Sequence, residues 1–281
     1  MDKVFFGVIS YGPQIPEFWT KYSDMLALLP KYDISYLGQS NGRSMRADGN
    51  RNIVVNSFLK SNADWLMWVD TDNVIPLGGI RRLLDNHKEF VTALYYLKSD
   101  PHYPIAFIKN KKNNRYNEIT GWRRGEIIPV DMAGMGACLT HRSVYEKIAE
   151  QCVVVQRYRH GVFPMLKSRV KGKLPDKANP VQPIVTNGLF KESVCIPDYD
   201  YGPFPYFSFE YGKSEDVNFY ALAEDCKIEM WCDTSVECDH VGTWVVNGKQ
   251  YRDTVKKNKT VIPLVKEYVV VEEDEYKTEG A

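Results

Sequence analysis

Short apolar runs that alternate with helix-length segments of 3.6-residue periodicity constrain this chain more than any other feature. The run Trp65 to Val69 is apolar throughout and is boxed by Asp64 and Asp70, which fits a strand buried on both faces. Upstream, a strand over residues 3–9 precedes a helix over about 17–29 that sets Phe18, Tyr22, Met25, Leu26 and Leu29 on one face. Residues 49–60 repeat the helical pattern through Ile53, Val54, Phe58 and Leu59. Downstream, Pro76 opens a helix expected to reach about His87. A strand near 90–97 follows, then strand-like segments around 103–109 and 126–130 and a helix from His141 to about Glu150. Alternation at these lengths predicts an α/β fold on a doubly wound sheet.

From about Arg157 to Lys213 the periodic signal fails, and Pro164, Pro175, Pro180, Pro183, Pro197, Pro203 and Pro205 punctuate the stretch. It reads as an irregular insertion or lid, whose basic part, Lys167 to Lys177, suits an anionic ligand or plain solvent. Regular structure is expected again at Ser214, a helix cap, with a helix to about Asp225 and two short strands through Cys238. Beyond His240 the chain becomes charged, loses clear periodicity and ends in EEDEYKTEGA, which reads as a frayed acidic tail.

A hydrophobic content of 44% against 26% charged residues, over 281 residues, excludes a disordered polar chain and allows one large core. Lys+Arg and Asp+Glu balance at 36 each, so no overall field draws the chain to nucleic acid or anionic lipid. The apolar runs fall far short of the roughly 20 residues that cross a bilayer, so no transmembrane segment is expected. The opening MDKVFFGVISYG lacks the basic flank and long apolar region of a secretion signal. Six cysteines without a CxxC pair suit a reduced, cytoplasmic setting. Cys226, Cys232, Cys238 and His240 lack the short gaps of a zinc knuckle and read as buried free thiols with a separate imidazole.

The chemistry-bearing residues gather at element ends. In an extended chain residues two apart point to the same side. Asp70 and Asp72 are therefore expected to face one cation at the carboxyl edge of the sheet, where open α/β sheets bind ligands. Oxygen ligands select Mg²⁺ or Mn²⁺, ions that commonly bridge carboxylates to substrate phosphates. Glu215 and Asp216 follow the Ser214 cap, where the helix dipole stabilises a carboxylate and where a general base is also well placed. Arg43, Arg46 and Arg51 are spaced so that one or two reach a diphosphate or base.

In this order the segments resemble the GT-A fold glycosyltransferases, whose hallmark is an Asp-x-Asp at the end of a hydrophobic strand. The likeness extends to family 2-like and mannan-polymerase-type members and covers about residues 3–243. It implies a mixed, mainly parallel central sheet flanked by helices, in a single domain with an irregular insertion. Residues 1–245 form the transferase domain in this reading: a nucleotide-binding part over about 1–100, an acceptor part over about 101–245, and the insertion over about 157–213. Residues 246–281 are a C-terminal extension with an acidic tail. The resemblance implies that Ser10 and Tyr11, ending the first strand, hold the base, and that Arg46, Arg51 and Asn52 face the nucleotide. It sets Gly134 and Gly136 near the donor sugar, and makes Asp72 the direct metal ligand and His240 the third. Asp70 serves as a second ligand or reaches the ribose or a metal-bound water.

On the acceptor side the resemblance makes Asp216 the base if the reaction inverts, with Glu215 orienting the acceptor or the structure. Trp122, Phe204, Tyr206, Phe207 and Trp244 supply an apolar setting, stack on sugars, or simply pack the core. The implied activity is a hexosyltransferase using Mn²⁺ or Mg²⁺ and a UDP- or GDP-sugar. The acceptor stays open between a glycan, a lipid-linked sugar, a protein and a modified DNA base, and the oligomeric state is also open. The alternatives are a nucleotidylyltransferase, for which SYGPQIPEFW is a poor phosphate loop, and a non-catalytic sugar-nucleotide-binding protein of the same fold.

Overall fold

A computed structural model of the protein describes residues 1–10, 15–42, 46–113, 115–157, 161–170, 174, 181–184, 192–195, 204–209, 213–242 and 245–257. Strand β1 (Asp2–Ile9) leads through helix α1 (Pro16–Leu28) to β2 (Ile34–Asn41), and α2 (Ala47–Lys60) leads to β3 (Trp65–Asp70). Next come β4 (Asn73–Val74), α3 (Gly79–Asp85) and β5 (Phe90–Leu94). The short strands β6 (Ala106–Lys109), β7 (Tyr116–Glu118), β8 (Ile127–Pro129) and β9 (Met132–Ala133) precede β10 (Ala137–His141) and α4 (Arg142–Gln151). Strands β11 (Cys152–Arg157), β12 (Gly161–Leu166), β13 (Val181–Ile184) and β14 (Glu192–Cys195) follow. After them come α5 (Glu215–Asp225), β15 (Trp231–Glu237), β16 (Asp239–Val241), β17 (Val245–Val246) and α6 (Gly248–Lys257).

The central sheet has seven strands in the order β2-β1-β3-β10-β5-β15-β8. Strands β2, β1, β3, β5 and β15 run one way, and β10 and β8 run against them. The protein is thus a mixed α/β fold on a mainly parallel sheet flanked by helices, as the sequence implies. The period of two along β1 and β3 divides the core. Phe5, Ile9, Leu66 and Trp68 face Val54, Val55 and Phe58 of α2, with Tyr145 of α4 and Phe219 of α5 in the same cluster. Val4, Phe6, Val8, Met67 and Val69 face the other way, onto Phe18, Tyr22 and Met25 of α1 and Leu83 of α3.

Four expectations need correction. Helix α3 begins at Gly79, not Pro76, because Gly78 caps it in a left-handed conformation (φ 79°) and the preceding residues make the turn. The strand expected over 90–97 stops at Leu94, and Tyr96 then bridges to Pro104. The stretch from Arg157 to Lys213 contains strands: β11 to β14 form an antiparallel sheet in the order β12-β11-β14-β13. Its prolines hide the pattern, but Pro164 and Pro183 lie on β12 and β13, the two edge strands, where a missing N–H is tolerated. Beyond His240 the described residues still form β17 and α6, and Tyr251 of α6 stacks on Tyr96 (ring centroids 4.9 Å) and Trp122 (5.9 Å).

Tyr11, Arg43, Trp244, much of the basic segment after Arg169 and the acidic tail lie outside the described residues. No helix among the described residues is long and apolar enough to cross a membrane.

Candidate active site

Strand β3 delivers its terminal acid to the carboxyl edge of the sheet, between β1 and the antiparallel β10. The turn that follows is held from three sides. The Asp70 amide donates to the Gly136 carbonyl (2.9 Å), the Thr71 amide to the Ile9 carbonyl (2.8 Å), and the Val241 amide to the Asp72 carbonyl (2.7 Å). Asp70 and Asp72 were expected to face one cation together. In this structure they turn to different partners, because β3 ends at Asp70 and Asp72 lies in the turn that follows. Asp70 meets the Arg51 guanidinium, whereas Asp72 meets Lys98 and His240. Among the described residues no three His, Cys, Asp or Glu side chains converge as a metal-holding group.

The inner cluster forms around Arg51, which is 1% exposed at the buried face of α2. Its Nη2 lies 3.3 Å from Asp70 Oδ2, and its Nε lies 3.4 Å from Glu215 Oε1 and 3.1 Å from Asp216 Oδ1. The guanidinium carbon sits 5.4 Å from the Trp68 ring centroid and 5.8 Å from that of Phe207. Three carboxylates therefore share one guanidinium in a largely apolar wall. Burial pushes Asp216 up to about 7, outweighing Arg51, with the Glu215 and Asp70 charges acting in the same upward direction. Burial likewise raises Asp70 against the pull of Arg51. Asp70 Oδ1 is buried without a hydrogen-bond partner among the described residues. Ser214 does cap α5, accepting from the Val217 amide, so the helix places both acids in its first turn.

Asn52 clasps the 204–209 segment: its amide donates to the Phe207 carbonyl (2.8 Å), and its carbonyl accepts from the Phe207 amide (2.9 Å). Asn218 of α5 holds the same segment through the Ser208 carbonyl (2.6 Å). Both polar ends of the Asn52 amide are thus engaged with backbone, where the resemblance had it facing the nucleotide. Arg51, also assigned to the nucleotide, is closed off behind the acids. Phe204, Tyr206 and Phe207 are buried in the main core and present no open face to a sugar. Trp122 is half-buried against Tyr251. Arg46, at the exposed start of α2, pairs with Asp48 (2.8 Å) and lies over the ring of exposed Phe209 (5.4 Å). Ser10 is exposed at the carboxyl end of β1.

Gly134 and Gly136 are explained by close approach. A Cβ on Gly134 would collide with the Tyr95 hydroxyl, and a Cβ on Gly136 would collide with the Asn73 side-chain amide and itself lie 3.1 Å from Asp70 Oδ2. That hydroxyl in turn accepts from the Gly136 amide (3.0 Å).

The outer cluster forms around Asp72. Its Oδ1 accepts from the Asn73 amide (3.2 Å), and its Oδ2 accepts from the Lys98 ammonium (2.7 Å). Strand β16 pairs His240 with Asn73 in antiparallel register, which carries His240 Nε2 to 3.4 Å from Asp72 Oδ2. His240 Nδ1 lies 2.7 Å from the Tyr96 carbonyl. A carbonyl only accepts, so Nδ1 carries a proton; in the protonated ring Nε2 donates to Asp72, and in the neutral ring the same nitrogen is a lone pair open to a metal. Burial alone would raise Asp72, but hydrogen bonds from His240 and Lys98, with their charges, bring it down to about 2. An ionised carboxylate beside a bare imidazole nitrogen fits a hard divalent cation that takes few protein ligands and completes its shell with water and phosphate oxygens.

Sequence reasoning missed Lys98 and Tyr95, which stand just beyond the carboxyl end of the fully buried strand β5. That position, at the same carboxyl edge of the sheet as the acid turn and one strand removed from it, was the available signal. Cys232 and Cys238 are buried free thiols held well above the ordinary range by burial, and Cys226 lies 3.9 Å from Cys152.

No family model matches the chain, and no curated protein matches it significantly. Solved structures similar to it include A197 from STIV, at 16% identity over 86% of this chain and 86% of that one, with a TM-score of 0.42. A glycosyltransferase involved in the glycosylation of the major capsid of PBCV-1 aligns at 11% identity over 52% of this chain and 64% of its own, with a TM-score of 0.29. GalNAc-T7, solved with UDP, GalNAc and Mn²⁺, aligns at 8% identity over 91% and 47%, with a TM-score of 0.41. Likenesses of this strength assign no residue and no reaction to this chain.

Proposed function

We propose that the protein transfers a sugar from a UDP- or GDP-sugar to an acceptor hydroxyl, with a divalent cation, Mn²⁺ or Mg²⁺, held by Asp72 and His240 and with Asp70 nearby. The observation that carries this reading is the division of labour among carboxylates at one sheet edge. Asp72 is kept ionised for a cation, while Asp216 is raised toward neutral pH, where a proton acceptor is most effective. The resemblance of the ordered segments to GT-A glycosyltransferases supports it. When bound, the cation supplies positive charge to the departing diphosphate.

The chain's own residues do the rest. Asp216, whose side chain is 24% exposed, takes the proton of the acceptor hydroxyl at a carboxylate oxygen. Arg51 and Glu215 fix its position from behind. Asn52 and Asn218 hold the 204–209 segment as one wall of the acceptor side. Ser10 and Arg46, at the exposed rim, are placed for the nucleotide, and Tyr95 packs against Gly134 and Gly136 beneath the donor sugar. In this reading residues 1–100 serve the nucleotide, 101–245 the acceptor, and 246–281 form an extension.

Thermal shift with UDP, GDP and their sugars, with and without Mn²⁺, tests the proposal, because a ligand of the native state raises its melting point. A nucleotide shift that requires Mn²⁺ in the wild type and vanishes in Asp72→Ala is expected. An equal shift in both proteins, independent of metal, would remove Asp72 from the site.

A further inference from the structure

The outer cluster holds a cation of its own. Lys98 stands four residues past the end of β5, on a short excursion closed by hydrogen bonds from the Leu97 amide to the Tyr103 carbonyl (2.8 Å) and from the Ile105 amide to the Tyr95 carbonyl (2.9 Å). The root of the side chain is thereby fixed, while its long stem stays free to turn. The ammonium reaches Asp72 Oδ2 at 2.7 Å, the same oxygen that His240 Nε2 faces at 3.4 Å. Lys98 and Asp72 are 34% and 35% exposed, in contrast to Arg51 at 1%, so this ion pair opens to solvent and to ligand.

A divalent cation that used Asp72 Oδ2 and His240 Nε2 would meet the Lys98 ammonium on the same carboxylate oxygen. At the few ångströms involved, two positive charges repel, and the smaller, doubly charged ion holds the oxygen more strongly. The displaced ammonium remains at the carboxyl edge of the sheet, where the donor's diphosphate is placed, and phosphate is the usual partner of a lysine point charge. A diphosphate arriving here also comes near three inner carboxylates that, among the described residues, have Arg51 as their one ion-pair partner, so a second cation within reach offsets repulsion that the divalent ion meets only in part.

We infer that Lys98 is an exchangeable cation: it holds Asp72 in the ligand-free protein, yields that carboxylate to a divalent metal, and then binds the diphosphate of the sugar nucleotide. The inference rests on the proposed sugar-nucleotide reading and adds a donor-positioning residue and an order of events to it. Lys98 acts by charge alone, with no bond to the substrate made or broken.

Lys98→Met and Lys98→Arg separate the two halves of the exchange. Calorimetric titration with Mn²⁺ alone should show tighter binding to Lys98→Met than to the wild type, by about five-fold, the upper end of what an exposed ion pair is worth. Titration with UDP at saturating Mn²⁺ should show weaker binding to Lys98→Met by about the same factor or more, with Lys98→Arg close to the wild type. Unchanged or weaker Mn²⁺ binding in Lys98→Met would overturn the competition for Asp72, and unchanged UDP binding would overturn the transfer to the diphosphate. Asp72→Asn is measured alongside. If it loses Mn²⁺ binding while Lys98→Met behaves as the wild type, the metal site stands and the exchange fails. If the wild type itself binds neither Mn²⁺ nor UDP, the underlying reading fails.

Discussion

The two acidic clusters on either side of the 70–72 turn are built from the same residue types and behave in opposite ways. Inside, three carboxylates share a single buried guanidinium, and Asp70 and Asp216 are held above the ordinary carboxylate range. Outside, one carboxylate is served by an ammonium, an imidazole and an amide, and Asp72 is held below that range. Burial acts upward on Asp70, Asp72 and Asp216 alike, so the balance of cationic donors and neighbouring carboxylates around each decides the sign. One sheet edge thus offers both a carboxylate ready for a cation and a carboxylate ready for a proton.

Breaking the inner cluster should have the largest effect. Arg51→Met leaves three carboxylates facing Trp68 and Phe207 without their cation, and should destabilise the fold by about 3–5 kcal/mol, the scale of a broken buried pair. Urea denaturation measures it, and a loss under about 1 kcal/mol would show that the acids are not held by Arg51. Asp216→Asn should keep Mn²⁺-dependent nucleotide binding and lower turnover by about a hundred-fold or more, once an acceptor is in hand. Equal turnover would point to a retaining route or another base.

The pH dependence of stability sharpens the contrast. Asp216 is raised, so its contribution is complete below the unfolded value of about 4 and is lost as pH rises through about 7. Asp72 is lowered, so its contribution is present above about 4 and is lost as pH falls toward about 2. Denaturation midpoints should therefore fall between about pH 4 and 7 less steeply in Asp216→Asn than in the wild type, and fall below about pH 4 less steeply in Asp72→Asn. Identical slopes in variant and wild type would contradict the opposed titration. The smallest effect is on the outer pair: Lys98→Met should change stability by less than about 1 kcal/mol, because both partners are exposed to water that replaces the lost contact.

Much of the fold was legible because buried strands and one-faced helices leave strong local patterns. Residues 3–9, 17–29, 49–60 and 65–69 each became an element close to the expected bounds. The proline-bearing strands β12 and β13 were not legible, since only their place at the sheet edges makes Pro164 and Pro183 acceptable, and pairing order is not a local property. In the site, the acid turn and the Ser214 cap are short-range features and could be read directly. The engagement of Arg51 could not. A charged residue in a helix reads as solvated until Glu215, 164 positions away, and Phe207 are known to close over it. Lys98 was missed for the same reason, since 26 residues separate it from Asp72 and only the adjacency of strand ends in space joins them.

The most direct test of the central claim is the anomalous signal of manganese in a crystal soaked with Mn²⁺ and UDP. The account expects a peak at ligand distance from Asp72 and His240, about 2.0–2.3 Å, that also touches diphosphate oxygens, with Asp216 outside its coordination shell. Manganese seated instead among Asp70, Glu215 and Asp216, or a bound nucleotide with no metal beside Asp72, would contradict it.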